Sequence, residues 1–328
     1  MERVQCDFCG SAEHTVYCKQ TDIIHKTTSE LFTLVSCKDC GLTYVNPRPS
    51  KSEIGKYYSE SYSFHSSPNI LKKIARIAFR HLANTYWVYI CRFIPFLNTR
   101  LISHIFPDVS DPVLKYIEIN GNKEISLLDI GCGTGWSANF WGWKGSIAYY
   151  SRMKNVKNVS GIEINDQARD ILDKIGITSF ASIDDVDDNY KFDIIRMNWS
   201  LEHVHSPRRF FKFISKHLTK NGIAVVCVPN IEGLLYLLAK NCVEVPIHLY
   251  HFSERDIRNY CEKYEFDINN FTTFSYPGMY SLASILTNDL RYFRGMNLIE
   301  AFYFQKILNK MSEFNLGNDM IVVFSHKK

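Results

Sequence analysis

Leu127-Leu128-Asp129-Ile130-Gly131-Cys132-Gly133-Thr134-Gly135 is the stretch on which the reading of the fold turns. An apolar run from Ile125 to Ile130 has the composition of a strand buried on both faces, and it stops in glycines. Glycine accepts positive φ and lets a ligand lie against bare backbone, so a strand that runs into glycines points to a nucleotide-sized cofactor. The dinucleotide fingerprint G-x-G-x-x-G would need a small residue at position 136, where Trp136 stands. The glycines instead alternate at 131, 133 and 135, behind the acid Asp129.

This D-x-G-x-G-x-G pattern resembles the first motif of class I S-adenosylmethionine-dependent methyltransferases. The resemblance implies an α/β fold with a Rossmann-like, seven-stranded sheet, and it places Asp129, Gly131, Gly133 and Gly135 at the cofactor. The next strand is read over Val159 to Ile164. In this class an acid at its end accepts from both ribose hydroxyls, which puts Glu163 on the ribose with Ile164 beside it. A helix from Asp166 to Lys174, capped by Asn165 or Asp166, leads to a short strand near Thr178 to Ala181. Ser182-Ile183-Asp184 follows, where the family brackets the adenine. Ile183 and Asp184 are therefore cofactor candidates, although Asp184 also belongs to the acidic run Asp184, Asp185, Asp187, Asp188 of a solvated loop.

Phe192 to Met197 reads as the fourth strand, followed by Asn198-Trp199-Ser200-Leu201-Glu202-His203-Val204. A helix from Pro207 to Leu218, then Gly222 and an apolar strand from Ala224 to Val228, complete a pattern similar to the substrate-facing half of the same class. Asn198 joins the expected cofactor set. Glu202 and His203 fall on the carboxyl edge of the sheet, where open α/β sheets bind ligands. Histidine is the side chain best suited to take a proton near neutral pH. In the sugar C-methyltransferases that the chain resembles, a Glu-His pair at this position is linked to deprotonating the carbon beside a keto group. That similarity makes His203 the general base, with Glu202 orienting it or stabilising its charged form. Those relatives carry a tyrosine two residues before the glutamate, whereas Ser200 stands here.

Cys6-x-x-Cys9 and Cys37-x-x-Cys40 form two knuckles whose thiolates can converge on a tetrahedral, closed, structural zinc. His14, Cys18 and His25 lie between the pairs and could replace a ligand. Residues 1–50 hold five basic and six acidic side chains, so with its thiolates the module is repelled by a nucleic-acid backbone. The stretch through Pro47 and Pro49 to Tyr57-Tyr58 and Tyr62 resembles the N-terminal zinc-binding region of a subset of bacterial methyltransferases. In such proteins aromatic residues of this segment lie over the methionine end of the cofactor, which makes Tyr58 and Tyr62 candidates.

From Ser61 to Pro107 there is no Asp or Glu, while lysines, arginines and aromatics recur at helical spacing. The segment reads as a helical cap with a basic mouth for a phosphorylated substrate, as a peripheral membrane contact through 68–106, or as a solvated basic face. Residues 107–121 are expected to form a linker. The domain reading is thus 1–52 zinc-binding module, 53–120 helical cap and linker, and 121–328 methyltransferase domain. In the last, Ser253 caps a helix to Tyr264 after Pro246-Ile247-His248-Leu249-Tyr250-His251. His248 and His251 border the substrate or serve the loop. Strands are read at Phe266 to Phe274 and Met320 to Ser325, with helices over 281–314 between them.

The sequence opens on no basic-then-apolar signal segment and holds no long uncharged apolar run, and ten cysteines in a chain of this size are expected to stay reduced, so the expected compartment is the cytoplasm. The expected acceptor is a nucleotide-activated sugar in cell-surface polysaccharide or secondary-metabolite biosynthesis, and the expected partner is a small-molecule substrate, sugar-like or lipid-linked. Alternatives are an O-methyltransferase of a lipid-like or quinone-like acceptor, with Glu202 and His203 helping to hold a divalent ion, and a non-catalytic cofactor-binding interaction protein. A nucleic-acid methyltransferase is disfavoured, because Asn198-Trp199-Ser200-Leu201 stands where many base-amino methyltransferases carry Asp/Asn-Pro-Pro-Tyr/Phe.

Overall fold

The computed structural model describes residues 1–23, 25–58, 109–136, 145–238, 244–275, 307 and 309–328. Tyr62, the basic helical segment, the start of the helix expected after Gly135 and most of 281–314 lie outside the described residues.

Two sheets organise the described chain. The smaller begins with the hairpin of β1 (His14–Thr21) and β2 (Leu31–Cys37) and continues into β3 (Thr43–Val45). Its fourth strand comes from far along the sequence: β9 (Tyr250–His251) pairs antiparallel with β3, Thr43 facing His251 and Tyr44 facing Tyr250. The N-terminal module is therefore stitched to the loop that carries His248 and His251.

The larger sheet has seven strands: β4 (Ile125–Ile130), β5 (Val156–Ile162), β6 (Thr178–Phe180), β7 (Phe192–Asn198), β8 (Leu218–Pro229), β10 (Phe266–Phe274) and β11 (Asp319–His326). Their order is β10-β11-β8-β7-β4-β5-β6. Five neighbours run parallel, and β11 enters antiparallel between β8 and β10. The chain winds outward from β4 through β5 to β6, then returns to β7 on the other side of β4. The order reverses between β4 and β7, and the crevice beyond the carboxyl ends of these strands is the ligand position of such sheets.

Both faces of the sheet are covered. On one lie α1 (Pro112–Ile119), α2 (Ile147–Tyr150) and α3 (Asp166–Lys174), which contribute Val113, Ile117, Ile147, Tyr150 and Leu172 to a core with Leu127, Ile194 and Val225. On the other lie α4 (Pro207–His217) and, beyond a short α5 (Leu234–Leu238), α6 (Glu254–Lys263). Phe211, Ile214, Ile257 and Tyr260 there pack with Leu128, Ile130 and Val226, and the same core takes in Cys6, Val35, Cys37, Leu42 and Tyr44 of the N-terminal module. The 107–121 linker is corrected here: its second half is α1. Asp111 caps that helix by accepting from Val113 N and Leu114 N, Pro112 occupies its first position, and Val113 and Ile117, four residues apart, fall on one buried face.

Candidate active site

The turn after β4 is built to come close to other atoms. Gly131, Gly133 and Gly135 all have positive φ (78°, 55° and 73°). At Gly131 a Cβ would meet Ser200 Cβ at 2.5 Å, so only glycine fits. Ser200 is held there by its hydroxyl, which donates to Ile130 O at 2.7 Å. The loop after β7 is thus pressed onto the glycine turn. Glu163, directly after β5, is 4% exposed, and its two oxygens accept from Gly133 N and Asn165 N, both at 2.9 Å. Its neighbour Ile164 is 82% exposed, an apolar surface beside a buried carboxylate. Ile183 stands in a one-turn helix after β6, and Asn198 ends β7, so the predicted set reaches the same edge of the sheet.

Two of the predicted cofactor acids are otherwise engaged. Asp129 is buried, and both its oxygens accept from Arg196, Nε at 3.0 Å on one and Nη2 on the other. Arg196 also donates to Gly145 O and lies over the Tyr150 ring. β4 and β7 set Asp129 beside Arg196 in parallel register. Asp184 is exposed, and both its oxygens accept from Arg209 Nη2 at 2.7 Å. That geometry favours the solvated-loop alternative for its carboxylate.

Past Ser200 the chain makes a short 3-10 turn, Leu201–His203. Glu202 is 1% exposed; both its carboxylate oxygens are shut off from solvent and accept no hydrogen bond. Burial raises its carboxyl well above the usual range, and the Glu244 charge adds to the shift. The expectation that Glu202 orients His203 fails on this geometry. Instead, His203 Nδ1 lies 3.0 Å from Ile247 O and 3.3 Å from Tyr58 Oη. A carbonyl only accepts, so Nδ1 carries the hydrogen and Nε2 is the basic nitrogen. Tyr58 arrives from the segment just after the N-terminal module, at the end of the turn Ile54–Tyr57, and burial, with the neighbouring glutamates, holds its hydroxyl protonated. The His248 ring meets that of His203 edge-on, with centroids 4.6 Å apart. Burial, then the neighbouring histidines, lower His248 well below the usual range, and burial lowers His251 to about 3, so both stay neutral.

Three residues here were not singled out from the sequence. Glu244 accepts from His25 Nε2 at 3.3 Å and lies 3.4 Å from His248 Nε2. Asp319, opening β11 at the same edge, accepts from Trp199 Nε1 at 2.9 Å. Arg196 is the third. The i, i+4 spacing of Glu244 and His248 was a local signal; the other two depend on partners distant in sequence.

Cys6, Cys9, Cys37 and Cys40 do converge, their sulfurs within 4.8 Å of one another. Cys6 to Cys40 and Cys9 to Cys37 are each 3.5 Å, far beyond a disulfide and near the edge of about 3.8 Å of a tetrahedron with zinc–sulfur bonds of about 2.3 Å. The residues fit a structural zinc. The three alternative ligands are excluded: His14 binds Ala12 O, Cys18 lies in β1, and His25 turns to Glu244.

Over residues 101–270, just over half of the chain, the sequence matches the family described as "Methyltransferase domain". With the sheet order and the glycine turn, the chain is a class I methyltransferase that uses S-adenosylmethionine, and it belongs to that family. No curated protein matches it in sequence. Among solved structures it is similar to an S-adenosylmethionine-dependent methyltransferase from Clostridium acetobutylicum, at 12% identity over 75% of this chain and 98% of that one, with a TM-score of 0.40. One from Mesorhizobium loti is 14% identical over 65% and 95% of the two chains, with a TM-score of 0.43. The plantazolicin methyltransferase BpumL, in complex with SAH, is 12% identical over 81% and 93%, with a TM-score of 0.39. Among the described residues no helix is long and apolar enough to cross a membrane.

Proposed function

We propose that this enzyme methylates a small sugar-like acceptor, held against His203 at the carboxyl edge of the sheet. The observation that carries the reading is the contact between the two half-sites: Ser200, two residues before Glu202, is bonded to Ile130 O and fills the space over Gly131. The backbone of the glycine turn, Glu163 and the exposed Ile164 receive the cofactor, with Ile183 and Asn198 at its flanks and Tyr58 over its reactive end. Asp129 acts through Arg196, as the support of the turn, and Asp184 through Arg209, as the support of its loop. S-adenosylmethionine, when bound, supplies an electrophilic methyl carbon: a bond to the acceptor forms as the bond to the sulfonium breaks, and the electron pair stays on sulfur.

This chain's part is to place the acceptor in line and to take its proton. Ile247 O fixes the His203 tautomer that leaves Nε2 basic. The phenol missing at Ser200 has a counterpart in Tyr58, whose hydroxyl lies at the His203 ring and can donate to oxygen charge that develops nearby. A sugar acceptor is supported by the similarity of the tetrathiolate module and the Glu-His pair to sugar C-methyltransferases.

The test is production of S-adenosylhomocysteine across pooled nucleotide sugars, glycolipids and small phenols, followed by kinetics of His203→Asn. That variant should bind cofactor as the wild type does and turn over roughly 10²–10⁴-fold more slowly. Turnover above about a tenth of wild type would rule out proton removal at His203.

A further inference from the structure

Trp199 has a backbone that a large side chain seldom adopts: its φ is 49°, in the left-handed region that favours glycine. Such a conformation persists where the surroundings enforce it, and it gathers at functional sites. Trp199 is tied to the neighbouring strands. Its backbone N donates to Cys227 O in β8 at 2.8 Å, its ring meets Phe274 of β10 edge-on with centroids 6.3 Å apart, and Nε1 donates to Asp319 Oδ1 at 2.9 Å. Asp319 is itself firmly seated. It opens β11 between Pro229 of β8 and Phe274 of β10, and just before it Asn318 O accepts from Asn230 N at 2.7 Å.

The residue that follows this turn closes on the cofactor side of the site. Ser200 donates to Ile130 O at 2.7 Å, its Cβ lies 2.5 Å from where a Cβ on Gly131 would be, and its carbonyl accepts from His203 N at 3.2 Å. A left-handed residue redirects the chain within one position, so the rotation at Trp199 decides where Ser200 comes down. We propose that Asp319 is a positioning residue for the cofactor: through Trp199 it fixes the turn that lays Ser200 on Gly131 and keeps the glycine turn in the shape that receives S-adenosylmethionine. Its seat on a paired strand makes it a rigid anchor for a loop. The inference rests on the cofactor site and holds whatever the acceptor is.

Calorimetric titration of S-adenosylmethionine and S-adenosylhomocysteine into the full chain tests this, beside denaturant midpoints for each variant. Trp199→Phe keeps a ring but removes the indole N–H, Asp319→Ala removes the acceptor, and Asp319→Asn keeps an acceptor oxygen. The first two should each weaken both ligands by roughly tenfold, the low end for a hydrogen bond to a charged group. The double variant should lose no more than either, because the same bond is lost in every case. Asp319→Asn should recover most of the affinity. A residue serving stability alone would shift the midpoints and leave affinity where it was. Unchanged affinity in folded Trp199→Phe, or losses that add in the double variant, would overturn the proposal, and Trp199→Phe decides it alone should Asp319→Ala not fold. Binding by none of the proteins, wild type included, would defeat the cofactor assignment as well.

Discussion

Arg196 is a buried guanidinium in the middle of a strand flanked by buried apolar residues, and Asp129 beside it is the acid of the glycine motif. The sequence motif assigned Asp129 to the cofactor because the partner that takes its carboxylate lies 67 positions away. Only the parallel register of β4 and β7 brings them together. Asp319 was invisible for the same reason, and it carries a pH signature. Burial pushes its carboxyl up to about 7, against the hydrogen bond from Trp199 Nε1 that pulls it down. An unfolded aspartate titrates near 3.9, so between about 4 and 7 the native state keeps a proton that the unfolded chain has lost. Stability should therefore be unpenalised at this residue below about pH 4 and should fall as pH rises toward 7. Asp319→Asn should flatten that slope. Urea midpoints of both proteins from about pH 4 to 8 check it, and parallel curves would contradict the shift.

At the level of elements, α4 shows how the module and the methyltransferase sheet are joined. Its N-cap, Ser206, makes no capping bond of its own. Asp7, between Cys6 and Cys9, accepts instead from Arg208 N at 2.7 Å, Ser206 Oγ at 2.6 Å and Tyr260 Oη at 2.9 Å. A residue of the metal knuckle thus caps the helix that follows the His203 turn. Asp7→Ala should destabilise the protein by about 1–2 kcal/mol, the range for a lost cap. Denaturant unfolding measures this, and an unchanged midpoint would refute the capping role. The strands of the larger sheet and the helices α3, α4 and α6 were legible in the sequence, because apolar runs and caps are local: Asn165 and Ser253 cap where expected, and Phe266–Phe274 is a strand over its full expected length, whereas β1, β2 and β3 of the N-terminal module carried no reading. Helix α1 was missed because Pro107, Pro112 and the closing Gly121 also fit a linker, although Asp111-Pro112 is a helix start. The joining of β9 to β3 was not legible at all, since two residues carry too little pattern to announce a strand.

For the whole molecule, the arrangement makes one functional edge from three sources. The sheet supplies the glycine turn and Glu163, the N-terminal module and the turn just after it supply His25 and Tyr58, and the loop before α6 supplies Glu244 and His248. Sequence could place the first source with its motif, whereas the meeting of the other two depends on the small sheet that closes around β9. The central claim is that the glycine turn and Glu163 hold S-adenosylmethionine, and calorimetric titration of the cofactor into three proteins tests it most directly. Wild type should bind; Gly133→Val should not, because a branched side chain would occupy the cradle at a φ of 55°. Glu163→Ala should lose about 1.5–3 kcal/mol, the range for hydrogen bonds to a charged group. Equal affinity in all three proteins, with the fold intact, would contradict the account.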